Sequence, residues 1–230
     1  MIFQFCARRV LLLTALLPTA AQAQSESDWS VGGQVAAATD YRFRGMSLSG
    51  KEPQATAQVT ISHVSGLYGS LWASNVDLGS GADEAETDLT LGWATDLQGT
   101  ILDMGGTYYA FPGNAGFNYV ELQASLSRRF GHATLKVGAA YAPSQQNVGG
   151  TDNTYVYVAG DVPVTGDKLL ARGSFGIEDG AFGNNKRDWK LGLRYDLGGG
   201  ASATVDYIDT ARGYSPMSKA TVVAALALDF

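Results

Sequence analysis

Charged side chains recur at alternate positions in segments whose intervening residues are apolar: Arg42, Arg44, Lys136, Arg172, Lys190 and Arg194 of one sign, Asp40, Asp88, Glu121, Glu178, Asp196 and Asp206 of the other. Such charges cannot sit in hydrocarbon, so water or a partner of opposite sign must satisfy them. Two outcomes follow. If water fills the space they enclose, opposed charges create a transverse field that sorts small polar solutes. If they pair across that space, they fill it. The near balance of signs sets no ion preference.

Catalysis has little to work with. The two histidines, His63 and His132, lie beside short turns and form no Ser/His/Asp arrangement. The acidic stretch Asp83, Glu84, Glu86 and Asp88 offers oxygen ligands for calcium or for divalent ions that bridge to lipopolysaccharide. It lacks calcium-loop spacing and reads as a solvated outer loop. Gly149-Gly150 and Gly198-Gly199-Gly200 have neither the lysine nor the following helix of a phosphate loop, so they read as turns. No catalytic residue, metal or cofactor is expected.

The amino end explains where the chain goes. Arg8 and Arg9 precede an apolar run from Val10 to Leu17, and Ala21-Gln22-Ala23 supplies small residues at the positions a signal peptidase reads. Residues 1–23 are therefore expected to be a removed secretory signal, and residues 24–230 a single domain. The one cysteine, Cys6, falls in that signal, which leaves the mature chain without disulfide or thiol chemistry. Of 16 basic residues two leave with the signal, so 14 face 22 acidic ones, a balance that argues against nucleic acid as a partner.

Elements able to place charge on one face and hydrocarbon on the other are strands, with a period of two. Alternation bounded by turn residues predicts twelve, at 29–44, 53–64, 67–77, 86–96, 100–111, 117–129, 132–142, 153–163, 168–178, 187–197, 201–209 and 219–230. Short connections such as Leu97-Gln98-Gly99 alternate with longer polar ones such as Pro143–Asp152 and Asp179–Lys186. That rhythm, with an even strand count, predicts an all-β, antiparallel, up-and-down transmembrane barrel. The first strand sets Trp29, Val31, Val35, Tyr41 and Phe43 toward lipid and Asp40, Arg42 and Arg44 toward the lumen; the sixth sets Val120, Leu122 and Leu126 against Glu121, Gln123 and Ser125; the tenth sets Trp189, Leu191 and Leu193 against Lys190 and Arg194. The third, fifth and eighth strands stay ambiguous, because Tyr108 stands beside Tyr109 and Val156 between Tyr155 and Tyr157.

Aromatic residues gather near strand ends, Tyr41, Phe43, Tyr141, Trp189 and Tyr207 at one end and Trp29, Trp93, Phe130, Tyr195 and Phe230 at the other, as expected of two interfacial girdles. The last strand carries Val222, Leu226, Leu228 and Phe230 on one face and stops on the aromatic, so Phe230 is expected to close the barrel against the first strand.

From Thr39 the chain reads T-D-Y-R-F-R-G-M-S, and from Gly66 it reads G-L-Y-G-S-L-W-A-S-N-V-D through Asp77. This resembles the signature of the TorF-type porins, a proteobacterial outer-membrane family, over residues 39–77. The resemblance implies a barrel in the bacterial outer membrane and a pore without a specified solute. Pore-lining roles are accordingly expected for Arg42, Arg44, Glu121, Lys136, Arg172, Lys190, Arg194 and Asp206. The expected partners are outer-membrane lipid and lipopolysaccharide, the barrel-assembly machinery, and small polar solutes or ions passing by diffusion. A structural or receptor-type barrel with a plugged lumen is the alternative.

Overall fold

The computed structural model describes residues 27–77, 79, 84–166 and 168–230. The signal expected at 1–23 and the acidic Asp83 lie outside the described residues. Twelve strands close into an antiparallel barrel: β1 (Trp29–Ala38), β4 (Gln54–His63), β5 (Leu67–Val76), β6 (Glu84–Asp96), β7 (Thr100–Ala110), β8 (Tyr119–Phe130), β9 (Ala133–Ala142), β10 (Asn153–Thr165), β11 (Leu169–Gly180), β12 (Gly183–Gly198), β13 (Ala201–Ala211) and β14 (Thr221–Asp229). Two further strands of two residues each, β2 (Arg42–Phe43) and β3 (Met46–Ser47), pair only with each other. Each barrel strand pairs with its chain neighbour, apart from the seam where β1 meets β14. This is the up-and-down order that the connection rhythm predicts.

The alternation that makes these strands also sorts their faces. Val35, Val59, Leu71, Leu91, Met104, Leu122, Val137, Val156, Phe175, Leu191, Val205 and Leu226, one from each barrel strand, are all exposed on the outside. An apolar belt of this kind is stable only against lipid, and a closed barrel leaves no strand edge unpaired within it. The protein is thus a transmembrane barrel of the outer-membrane type. The three ambiguous strands resolve: β5 turns Tyr68, Ser70 and Trp72 inward, β7 turns Thr107 and Tyr109 inward with Tyr108 outward, and β10 turns Tyr155 and Tyr157 inward with Val156 outward.

Turn chemistry sets the register at the short end. Between β6 and β7, Gln98 and Gly99 both have positive φ (56° and 82°), and Leu97 and Thr100 exchange backbone hydrogen bonds at 2.7 and 3.2 Å. That is the primed hairpin turn whose twist matches the flanking strands.

Two expectations need correcting. The fifth long connection, read at Asp179–Lys186, is not a long loop. β11 and β12 run on to Gly180 and Gly183, leaving two residues between them, because inward Glu178 stands opposite Lys186 and the ion pair extends the ladder. The first strand does not reach residue 44. β1 stops at Ala38, and the chain then turns into the barrel mouth as the β2–β3 hairpin. The turn residues Arg44 (φ 47°) and Gly45 (φ 80°) break the extended path that alternation alone suggests.

Candidate functional site

The inner surface is graded. At the long-loop end its side chains are buried, as with Tyr119 and Glu121 on β8, Ala140 and Ala142 on β9, and Asn153 and Tyr155 on β10. Toward the short turns the same faces open: Gln123 and Asp161 are exposed, and Ser125, Lys136 and Tyr157 are half-buried. The cause is the inserted hairpin. Phe43 meets Tyr109 edge-on at 6.0 Å, Tyr109 stacks on Tyr119 at 4.4 Å, and Tyr119 packs against Phe182 at 5.1 Å. Tyr41 packs on Trp72 at 5.5 Å. Tyr41 and Phe43, expected in the outer girdle, therefore face inward, since the chain leaves the wall before reaching them.

Acidic and hydroxyl groups hold the hairpin. Asp40, buried at its root, accepts from Ser47 Oγ (2.6 Å), Ser49 Oγ (3.1 Å) and Arg42 Nε (2.6 Å). Arg42 Nη1 also donates to the carbonyls of Gly45 (2.9 Å), Met217 (2.8 Å) and Lys219 (3.1 Å), tying the hairpin to the loop before β14. In that loop the Tyr214 hydroxyl donates to Phe182 O at 3.0 Å.

Arg44 reaches across the lumen. Its Nη2 donates to Glu121 Oε1 (2.5 Å) and its Nη1 to Glu178 Oε1 (2.8 Å), while the guanidinium lies 4.3 Å from the Tyr155 ring centre and 4.7 Å from that of Phe43. Glu178 is 1% exposed and also pairs with Lys186 at 2.5 Å and accepts from Asn153 Nδ2 at 3.1 Å. Planar bidentate donors suit such a bridge, and desolvated charges stay favourable only when paired.

The residues expected to line a pore fall into separate places. Arg44 and Glu121 form the clasp. Arg42 stands at the hairpin root, its Nε paired with Asp40, rather than on the barrel wall. Arg172 pairs bidentately with Asp206, its Nε donating to Oδ1 at 2.8 Å, and both border a cavity of about 390 Å³ with Lys190. Lys136 borders a second cavity of about 200 Å³ beneath the clasp. Arg194 stands near the short turns, 3.4 Å from Asp229. Phe230 forms backbone hydrogen bonds to Gly33 at the seam.

Several residues escaped the sequence reading. Glu86 is no loop residue: it lies on β6, faces inward and is 2% exposed, with Asp88 on the same face. Continuing the tenth strand's parity two steps upstream from Lys190 finds Asp188 and Lys186, both buried and inward. Asn153 and Tyr155 carried no such signal, because the eighth strand's parity is ambiguous. At the mouth, Phe43, Leu48, Phe111, Phe117, Val148 and Phe182 surround an apolar cavity of about 540 Å³.

A family model described as a bacterial protein of unknown function (Gcw_chp) matches residues 22–226. A search of curated proteins finds no match. Among solved structures, the KdgM porin superposes with a TM-score of 0.60 at 5% identity, covering 86% of this chain and 98% of that one. A COG4313 outer membrane channel from Pseudomonas putida F1 gives 0.57 at 9% identity, covering 93% and 99%. The NanC porin gives 0.52 at 10%, covering 87% and 98%. At these identities the likeness is one of fold.

Proposed function

The chain belongs to the Gcw_chp family of bacterial proteins of unknown function, and from its lumen we propose an outer-membrane porin, a passive channel for small polar solutes or ions narrowed at its outer mouth by the β2–β3 hairpin. The observation that carries this reading is the inner face below the clasp. Its exposed and half-buried groups are polar, from Gln123, Ser125 and Lys136 down to Arg194. Twelve strands enclose more space than the eight whose side chains just fill a barrel. The TorF-type resemblance supports the same reading, through Asp40, Arg42 and Arg44 of its first motif. A secretory signal over residues 1–23, insertion by the barrel-assembly machinery and contact with lipopolysaccharide complete the proposal. No enzymatic step is part of it.

The KdgM porin has also been solved in complex with a disordered oligogalacturonate. An acidic oligosaccharide does not suit this lumen, where Glu86, Asp88, Glu121, Glu178, Asp188 and Asp206 face inward beside the basic residues. Small solutes of no net charge fit the balance better.

A second reading has its own support. Arg44, held by two carboxylates among packed aromatic rings, closes the outer half, which suits a plugged structural or receptor-type barrel. Single-channel recording of the purified protein in planar bilayers separates the two. Discrete conductance steps are expected of the channel, and silence from verified, folded barrel would leave the plugged reading.

A further inference from the structure

The cavity of about 390 Å³ below the hairpin holds charges of both signs. Among those bordering it, Arg42 is paired with Asp40, Arg44 with Glu121 and Glu178, and Arg172 with Asp206. Two remain. Asp188 is 6% exposed, its Oδ1 accepts only from the Tyr155 hydroxyl at 3.1 Å, and its Oδ2 has no hydrogen-bond partner. Lys190 has no ion pair within 4 Å and no hydrogen bond from its side chain among the described residues. A buried carboxylate oxygen and an ammonium group without partners in one polar cavity are both costly, unless something else supplies the missing contacts.

Their opposite charges in one cavity point to what that is. Both lie on the inner face of β12, two residues apart, which separates their backbone anchors by about 7 Å. An α-amino acid holds its ammonium nitrogen about 3 Å from its carboxylate oxygens, and with a charge-assisted hydrogen bond of about 2.8 Å at each end it joins groups about 8.6 Å apart at full stretch and closer ones when bent, a range that the long Lys190 side chain can set against the short Asp188. We propose that this cavity is a subsite for a small zwitterion of the α-amino acid class, its ammonium group on Asp188 and its carboxylate on Lys190. A lone anion would leave Asp188 unpaired, and a lone cation would leave Lys190 unpaired. Each half of the site therefore rejects what the other accepts. Ser174 and the Tyr155 hydroxyl supply further polar contact in the same cavity. The inference rests on the channel reading for its purpose, because a subsite inside the barrel serves passage only if solute reaches it.

The test uses the folded full-length barrel in detergent and saturation-transfer NMR, with alanine, lactate and ethylammonium as probes. Alanine should bind at least about fivefold more tightly than either singly charged probe, and Asp188→Asn and Lys190→Gln should each remove most of that advantage. Each variant is checked for folding by heat-modifiable gel mobility, and Lys168→Gln, exposed at the short turn before β11, should leave the advantage intact. Equal binding of all three probes, or an advantage that survives both substitutions, overturns the proposal. Liposome swelling with the same protein keeps the two readings apart. Xylose entry without any alanine preference keeps the channel and rejects the subsite, whereas alanine binding without entry of either solute keeps the subsite and rejects the channel.

Discussion

The ring of Phe230 lies over Gly33: a β-carbon on Gly33 would stand 2.6 Å from two carbons of that ring, while the two main chains exchange hydrogen bonds of 2.8 and 2.9 Å. Beyond this pair β1 runs on to Trp29 with no partner from β14, so the seam ends here. Deleting Phe230 should lower the amount of folded barrel in the outer membrane, and Gly33→Val should do the same by lifting the ring. Both are read by heat-modifiable gel mobility. Normal assembly of both variants would remove the closing role from Phe230.

Leu122 and Leu193 face outward, at 55% and 48% exposure, within the apolar belt. Arginine at either position should cost about 2 to 4 kcal/mol in folding free energy measured in lipid vesicles. Arginine at Gln123 or Ser125, one and three residues beyond Leu122 on the same strand and turned inward, should cost much less. Equal penalties would contradict the assigned faces.

Arg44 bridges Glu121 and Glu178 over the outer lumen. Replacing it by alanine leaves buried Glu121 without its ion pair and Glu178 with Lys186 alone, which should release the hairpin and raise single-channel conductance severalfold. Unchanged conductance would mean that the hairpin is not the constriction.

Replacing Arg42 and Arg44 together by glutamine removes two positive charges with little loss of volume. Under a salt gradient the reversal potential should move toward cation preference, most clearly at low ionic strength where screening is weak. Arg42 pairs with Asp40 and Arg44 with Glu121 and Glu178, so the double substitution leaves these carboxylates without their arginine partners; an unchanged reversal potential would place both arginines outside the conduction path.

In the proposed channel Lys136, half-buried in the open half of the lumen and without an ion pair within 4 Å among the described residues, would face passing ions directly. Lys136→Glu should shift selectivity in the cation direction without altering conductance at high salt. A shift of equal size at high salt would point to a structural rearrangement instead.

The barrel was legible in the sequence because its cause is local. A period of two, repeated between turns, specifies both strand and face, as Val120 to Leu126 on β8 and Trp189 to Leu193 on β12 illustrate. Where two aromatics stood side by side, as at Tyr108 and Tyr109, the pattern could not choose a face, because packing against Tyr119 and Glu121 across the ladder decides it. The hairpin was illegible for a different reason. Tyr41, Arg42, Phe43 and Arg44 continue the alternation of β1, yet the direction they take depends on partners at Glu121, Glu178 and Met217, far along the chain. Glu86 and Asp188 lay inside the predicted strands 86–96 and 187–197, within reach of the parity rule; Glu86 was read with its acidic neighbours as solvated loop, and only Lys186 fell beyond the expected end of its strand.

The clasp is also a record of sequence distance. Arg44 meets residues 77 and 134 positions downstream, and Arg42 meets one 175 positions away. Contacts that close such long loops form after local hairpins have done so. Arg42 reaches its carbonyls on the loop before β14 only once that last strand has docked beside β1. The mouth is therefore narrowed as one of the final events of folding, and an unfinished barrel stands wider than a finished one.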